Sequence, residues 1–218
     1  MFSLGLTLAV VCAAALPVVR DRSGNAAESK EAPRIVAIGD SLTSGHGIGS
    51  SRAYPAVLQR RLDSAGLNYQ VVNAGVSRDT SADALRRLDA ALHGDVRVLI
   101  VALGANDGLR GVPVAQLRAN LSRIIGTAQS RGISVVLCAM EALPLYGWEY
   151  TVAFHRMYRD LADQYRVPLV PCVLFNLVGN PDLMQHDHIH PNADGARVIA
   201  DAIWPFVKGL VEAPHAAP

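Results

Sequence analysis

Residues 34–49, RIVAIGDSLTSGHGIG, set the pattern that decides the fold. The apolar run at 35–38 is typical of a buried strand, and Gly39, Asp40 and Ser41 follow it directly. Ser41 stands where a helix would begin, ahead of a glycine-rich turn. A serine in this position can cap a helix, belong to a phosphate-binding loop or act as a nucleophile. The rest of the sequence decides between these roles.

The same alternation of strand and helix patterns continues along the chain. Apolar runs typical of strands lie at residues 35–38, 70–73, 96–103, 133–139 and 167–171. Helical periods lie between and after them, at residues 54–62, 85–92, 117–125, 154–161 and 196–207. Continuous apolar strands between amphipathic helices are typical of a parallel sheet covered on both faces. We predict one three-layer α/β/α domain with a five-stranded parallel sheet over residues 33–212, followed by a tail at 213–218.

The composition limits the kind of partner. The chain has 218 residues and a formal net charge of +1, with no long block of like charge. A nucleic-acid-binding protein would present a basic stripe, which this sequence lacks. We therefore expect a small-molecule partner and no nucleic acid. A monomeric protein is also expected, although composition does not determine the oligomeric state.

The first 19 residues, MFSLGLTLAVVCAAALPVV, are almost wholly apolar, and a polar stretch of small residues follows. This pattern predicts an export signal or a membrane anchor plus linker over residues 1–32, with membrane attachment through residues 1–19 if the segment is not cleaved. A buried N-terminal helix is the alternative. The expected location is outside the cytoplasm, periplasmic or secreted.

Polar residues follow several of the predicted strands. Ser41 follows the first, the turn at 75–78 follows the second and Asn106 follows the third, while Asp187 and His190 come after the fifth. In a parallel α/β sheet, ligands bind outside the carboxyl ends of the strands. We therefore expect these residues to meet at one edge. Asp187 and His190, three positions apart, would face each other in one helical turn.

These residue types allow acyl transfer. A serine hydroxyl needs a base to take its proton, and a histidine held by a carboxylate is the usual base. Ser41 would be the nucleophile, His190 the base and Asp187 the residue that orients it. The side chain of Asn106 and the main-chain N–H groups of Ser41 and the turn at 75–78 would stabilise the oxyanion.

Four ordered stretches carry a family resemblance: GDSLTSG (39–45), NAGVSRDTS (73–81), GANDGLRG (104–111) and DHIHP (187–191). They resemble the four sequence blocks of the SGNH/GDSL hydrolases, most closely the bacterial thioesterase I, arylesterase and lysophospholipase branch. The resemblance implies a flavodoxin-like fold and a serine esterase or thioesterase that acts on small-molecule esters or thioesters without a metal or cofactor. It also implies the triad of Ser41, Asp187 and His190.

The resemblance implies an oxyanion hole made by the N–H groups of Ser41 and Arg78 and by the Asn106 side chain. The family usually has a glycine at the position of Arg78. The donor survives if Arg78 adopts the required backbone conformation, and its cation would favour acidic or polar substrates. Leu143 and Tyr146 belong to a group of apolar side chains after the fourth strand, which either packs helices or forms an apolar wall for the substrate.

Three features leave other interpretations open. The histidines and the aspartate of His186–His190 suggest a metal site. No distant cluster of ligands joins them, so we predict that no metal binds there. His46, His93 and His155 match no motif and are expected on the surface or in packing. Cys138 and Cys172 either pair or remain buried thiols.

Two other functions fit the same sequence. A carbohydrate O-acetylesterase or O-acyltransferase would use the same catalytic residues as the esterase or thioesterase. A non-catalytic α/β binding module would keep the fold without the reaction.

Overall fold

The computed structural model describes residues 1, 31–172, 174 and 177–213. Contacts divide the chain into Met1–Glu31 and Ala32–Pro218, and the α/β fold belongs to the second unit. In the described ranges, no helix combines the length and the apolar character needed to cross a bilayer. The predicted signal or anchor segment falls on residues 2–30, which lie outside these ranges.

The predicted five-stranded parallel sheet is confirmed. The strands are β1 (Arg34–Gly39), β2 (Gln70–Gly75), β3 (Val96–Ala102), β4 (Ser134–Cys138) and β5 (Leu169–Val170). All neighbours run parallel, in the order β2-β1-β3-β4-β5. The three central strands are buried along most of their length, as their continuous apolar runs predict.

Helices cover both faces of the sheet and complete the three layers. The helices are α1 (Ser41–Ser44), α2 (Tyr54–Ser64), α3 (Ser81–Arg86), α4 (Leu88–Ala91), α5 (Ala105–Leu109), α6 (Val114–Ser130), α7 (Trp148–Tyr165) and α8 (Ala193–Glu212). Helix α2 packs on α8, while α6 packs on α3 and α7. Short 3₁₀ turns lie at Ser50–Arg52, Pro144–Tyr146 and Pro181–Leu183.

The helical period predicted at residues 85–92 is divided between two short helices. The segment forms parts of α3 and α4, which meet at Arg87 with φ −104° and ψ 7°. The Arg87 guanidinium donates to the Asp79 carboxylate at 2.7 Å and to the carbonyl groups of Ala74 and Gly39. These bonds hold Arg87 against the ends of β1 and β2, so the helix is interrupted there.

The fifth strand is shorter than the predicted run at 167–171. Only Leu169–Val170 forms the strand. The N–H of Val167 bonds to the carbonyl of Ala162 and so closes α7 instead of joining the sheet. Pro171 has no N–H to donate to a neighbouring strand.

The carboxyl edge of the sheet is built for close approach by α1. Gly39 of β1 is in register with Gly75 of β2 and Ala102 of β3, so the loops after these strands leave the sheet together. A Cβ added to Gly39 would lie 1.9 Å from Oγ1 of Thr43, and one added to Gly75 would lie 2.3 Å from the nitrogen of Ser44. The two glycines therefore let α1 sit directly on the strand ends.

The structure decides between a disulfide and a free thiol for Cys138. It is a buried free thiol at the end of β4, and burial raises its pKa to about 12. The thiol therefore stays protonated at neutral pH and packs as a small apolar side chain.

Candidate active site

Ser41 is the first residue of α1, as expected from its place after the first strand. Asp40 caps this helix, and its carboxylate accepts the N–H of Leu42 at 3.1 Å. The carbonyl of Ser41 accepts the N–H groups of Gly45 and His46. These main-chain bonds fix the backbone of Ser41 at the carboxyl edge of the sheet.

The fold brings His190 to Ser41 across 149 positions of sequence. Nε2 of His190 lies 3.1 Å from Oγ of Ser41, and Nδ1 of His190 lies 2.7 Å from Oδ2 of Asp187. The three side chains therefore form one line of hydrogen bonds. The geometry meets the distance requirement for a base and its nucleophile.

The Asp187–His190 pair is local, but the predicted helical turn between them is wrong. The segment is an irregular turn in which His188 has φ 56°. Oδ1 of Asp187 accepts the N–H groups of Ile189 and His190, each at 2.9 Å. These bonds are those of an aspartate turn, which an i, i+3 spacing also permits.

Hydrogen bonds from His190 stabilise the ionised Asp187. The N–H of His190, its ring nitrogen and the N–H of Ile189 together hold the pKa of Asp187 well below its usual range. Asp187 therefore remains an anion at neutral pH and can face a protonated imidazole.

Asn106 lies in the first turn of α5, directly after β3 and Gly104. Its Nδ2 donates to the carbonyl of Asp79 at 3.0 Å and lies 3.4 Å from Oδ2 of Asp40. Asn106 therefore lies among the loops after β1, β2 and β3, where the sequence predicts a site.

Arg78 adopts the left-handed conformation, with φ 72°. Ser77 before it contacts α1, with its Oγ 3.0 Å from Oγ of Ser44, and the carbonyl of Asp79 after it accepts from Asn106. Anchors on both sides thus fix the main chain at Arg78. Arg78 thus has a left-handed backbone, which glycine adopts most readily.

Burial raises the pKa of Asp40 to about 6, although the N–H of Leu42 and the charge of His190 act against this shift. Between about pH 4 and pH 6 the folded protein holds a proton that the unfolded chain releases. The stability contributed by that proton is therefore lost as the pH rises through about 6.

Asp40→Asn should remove this pH dependence while keeping an oxygen acceptor for Leu42. We expect the unfolding free energy of the variant to rise relative to wild type by about 3 kcal/mol between about pH 4 and pH 7. Urea unfolding across this range measures the difference. Asp163→Asn, at an exposed position on α7, is the matched control. If the difference in unfolding free energy between Asp40→Asn and wild type does not change with pH, the raised pKa of Asp40 is contradicted.

Reasoning from the sequence did not identify the role of Gln185. Its Nε2 donates to the carbonyl of His46 at 2.7 Å and to that of Pro191 at 2.9 Å, and its N–H donates to the carbonyl of His190 at 2.7 Å. A Cβ on Gly47 would lie 2.0 Å from Oε1 of Gln185, so a side chain at position 47 would displace the Gln185 amide from its present position. Gln185 therefore fastens the loop after α1 to the loop that carries His190.

The expectation for His46 is incomplete. Its side chain is exposed, but its ring centroid lies 4.7 Å from that of His190. His46 also borders a small cavity beside Ser41 and His190. The cavity is completed by Leu42, Gly45, Ile48, Pro191, Ala196 and Ile199. The proximity of His46 to Ser41 in the sequence of the glycine-rich turn could have indicated that His46 lies beside Ser41 in the fold.

The other histidines lie outside the line of hydrogen bonds. His155 pairs with Glu141 at 2.6 Å, and the rings of His186 and His188 lie 6.3 Å apart. In the part of the chain that the structure describes, no three histidine, cysteine or acidic side chains are grouped to hold a metal ion.

Leu143 and Tyr146 are half-exposed or more, at 59% and 50%. Neither borders the cavity beside Ser41. The Tyr146 hydroxyl donates to the carbonyl of Leu109 at 3.1 Å, which joins this loop to the end of α5, the helix that carries Asn106. A larger groove of about 690 Å³ lies between α6 and α7, and its lining residues include Trp148 but not Ser41 or His190.

Comparison with known proteins identifies the class of enzyme. Esterase TesA from Pseudomonas aeruginosa is 39% identical over 181 residues, which cover 83% of this chain and 90% of that protein. Thioesterase 1/protease 1/lysophospholipase L1 from Escherichia coli strain K12 is 37% identical over 181 residues, covering 83% and 86%. The crystal structure of the psychrotrophic esterase EstA from Pseudoalteromonas sp., inhibited by monoethylphosphonate, has a TM-score of 0.76 at 30% identity and covers 81% of this chain and 97% of its own. The protein is an ester hydrolase.

The family follows from a match over most of the folded unit. The model of the GDSL-like lipase/acylhydrolase family matches residues 37–198. The chain belongs to this family, and the resemblance drawn from the four sequence blocks is confirmed.

Proposed function

We propose that the protein cleaves esters and thioesters through an acyl-enzyme on Ser41. The observation that carries this proposal is the line of hydrogen bonds from Oγ of Ser41 through the His190 ring to Asp187, at 3.1 and 2.7 Å. A base within hydrogen-bond reach of a serine, itself held by a carboxylate, is the arrangement that serine acyl transfer requires.

In the first half of the reaction, Oγ of Ser41 attacks the carbonyl carbon while Nε2 of His190 takes the hydroxyl proton. Asp187 stabilises the imidazolium and keeps Nδ1 protonated. The tetrahedral intermediate then collapses, the bond to the leaving oxygen or sulfur breaks, and His190 gives its proton to that atom. In the second half, His190 takes a proton from water as the water oxygen attacks the acyl carbon. The bond between the acyl carbon and Oγ of Ser41 then breaks, His190 returns its proton to Oγ, and the acid is released.

The oxyanion would be held by the N–H of Ser41, the N–H of Arg78 and Nδ2 of Asn106. The N–H of Ser41 lies at the start of α1, where the orphan donors of a helix are free to bind an anion. Nδ2 of Asn106 donates to the carbonyl of Asp79 at 3.0 Å and to Oδ2 of Asp40 at 3.4 Å, so the oxyanion would take the place of the longer bond. The left-handed φ of Arg78 is compatible with a donor at a position that glycine usually fills.

The substrate is proposed to be an acyl or aryl ester or a thioester. The names of the relatives, an esterase and a thioesterase/lysophospholipase, support this range. Leu143 and Tyr146 would line the path of the acyl or aryl group, since both are exposed and Tyr146 is bonded to the end of α5. The signal or anchor function of residues 1–32, export from the cytoplasm and a monomeric state remain predictions from the sequence and the composition.

The substrate range can be tested on the full chain with 4-nitrophenyl esters from acetyl to palmitoyl and with acyl-coenzyme A thioesters of matching length. We expect turnover to peak at medium or long chains, because exposed apolar side chains beside α5 favour an extended acyl group. Turnover confined to acetyl esters would instead favour the O-acetylesterase alternative. No turnover on any substrate would contradict the proposed function.

A further inference from the structure

Arg78 is an unusual residue for its place in the site. A left-handed conformation is rare for residues other than glycine, asparagine and aspartate, and a strained residue that persists at a functional site calls for a functional reason. The N–H that the reaction would use does not need this side chain, since glycine supplies the same donor. The arginine therefore adds something other than the N–H group, and what it adds is an exposed cation.

A second arginine is tied to the same loop. Nη2 of Arg110, directly after α5, donates to the carbonyl of Arg78 at 2.9 Å. Arg110 is exposed as well. Arg110 is therefore bound to the main chain of Arg78, on the side of the site formed by the second and third sequence blocks, the side that also carries Asn106.

The carboxylates near these arginines already have other partners. Asp79 pairs with Arg87 at 2.7 Å, and Asp83 pairs with Arg86. Asp107 is buried and accepts both the N–H and the hydroxyl of Ser81, at 2.8 and 2.6 Å. Within the described ranges, neither Arg78 nor Arg110 forms an ion pair. The charge of Arg110 acts on the buried Asp107 carboxylate and opposes the rise in its pKa caused by burial, but that carboxylate is engaged by Ser81. An anion on the substrate would therefore meet two exposed guanidinium groups that are not held in an ion pair.

We propose that Arg78 and Arg110 form a subsite for an anionic group, a carboxylate or a phosphate, on the ester substrate. This proposal rests on the proposed function, because it places the anion beside the carbonyl that Ser41 attacks. A guanidinium group presents a planar fork of N–H donors that matches the oxygens of a carboxylate or a phosphate. The cations would also raise the rate at which anionic substrates reach the site.

The test compares charged esters with neutral esters of the same shape, by kcat/KM at low ionic strength. For the acyl side the pair is 4-nitrophenyl hydrogen glutarate and the 4-nitrophenyl ester of glutaramic acid. For the leaving-group side the pair is 3-carboxyphenyl butyrate and 3-carbamoylphenyl butyrate. We expect at least one pair to show a preference of roughly 10-fold for the anion, falling toward equality at high salt. The pair that shows it identifies the side on which the anion binds.

Two variants link the preference to the arginines. Arg110→Gln should reduce the ratio of charged to neutral kcat/KM several-fold. Arg78→Gly, which keeps the N–H and accepts the left-handed backbone, should reduce it as well. Arg123→Gln, an equal loss of charge at an exposed position on α6, should leave the ratio unchanged.

The failure of this proposal differs from the failure of the proposed function. Equal rates within both pairs, or a ratio that neither Arg110→Gln nor Arg78→Gly changes, would overturn the subsite while leaving ester hydrolysis intact. An enzyme that cleaves neither the charged nor the neutral esters would overturn the proposed function and the subsite with it.

Discussion

Ser41→Ala is expected to lower kcat by roughly 10⁴- to 10⁶-fold on any ester that the wild type hydrolyses. The change removes the one oxygen that lies 3.1 Å from Nε2 of His190, so no acyl-enzyme can form. The backbone of α1 keeps its bonds, because they run through the main chain of Ser41 and the side chain of Asp40. The variant should therefore unfold in urea at nearly the same concentration as the wild type.

Initial rates with a 4-nitrophenyl ester, together with urea unfolding of the same preparation, measure both expectations. Ser50→Ala is the matched control, because Ser50 is an exposed serine in the 3₁₀ turn that follows the same glycine-rich stretch. Its activity should equal that of the wild type. A folded Ser41→Ala protein that keeps even a tenth of the wild-type kcat would show that another group attacks the carbonyl.

Asp187→Asn is expected to lower kcat by roughly 10²- to 10⁴-fold. Oδ1 of Asp187 accepts two main-chain N–H groups, so the oxygen of an asparagine would remain there and its amide NH₂ would face Nδ1 of His190. Nδ1 would then have to accept a hydrogen bond, and the ring proton would move to Nε2, opposite Ser41. A ring in that state cannot take the proton of the serine.

The measurement is kcat against pH for Asp187→Asn and for the control Asp182→Asn, an exposed carboxylate five positions earlier in the same region. The control should retain wild-type activity, because Asp182 belongs to the 3₁₀ turn Pro181–Leu183, while the ring of His190 is bonded to Asp187 and Ser41. A kcat for Asp187→Asn within a few-fold of wild type would mean that the carboxylate does not orient the base.

The sequence was sufficient to predict the sheet and the meeting of Ser41, Asn106 and His190. Each buried strand is a continuous apolar run, and each of these residues follows a strand or the loop beyond it. Because parallel strands end at one edge, their placement in sequence implies their closeness in space. The pairing of Asp187 with His190 was also predictable from their spacing, although a helical turn was the wrong local structure for it.

The residues that sequence reasoning missed act over long separations. Arg87 reaches Gly39 across 48 positions, and Gln185 reaches His46 across 139. Neither contact leaves a periodic pattern, because a single side chain bonds to main-chain carbonyl groups whose positions depend on the completed fold. The break between α3 and α4 has the same origin. The leucine period continues through Arg87, but the guanidinium of Arg87 is bound at the ends of β1 and β2.

The most direct test of the central claim, that Ser41 is the nucleophile of an acyl-enzyme, is covalent labelling with a 4-nitrophenyl alkylphosphonate. The full chain would be incubated with the reagent, digested and analysed by mass spectrometry, with Ser41→Ala treated in parallel. The proposed mechanism predicts one phosphonate on Ser41, release of one equivalent of 4-nitrophenol and loss of esterase activity in step with labelling. An adduct on a different residue that accompanies inactivation, or equal labelling of Ser41→Ala, would contradict it.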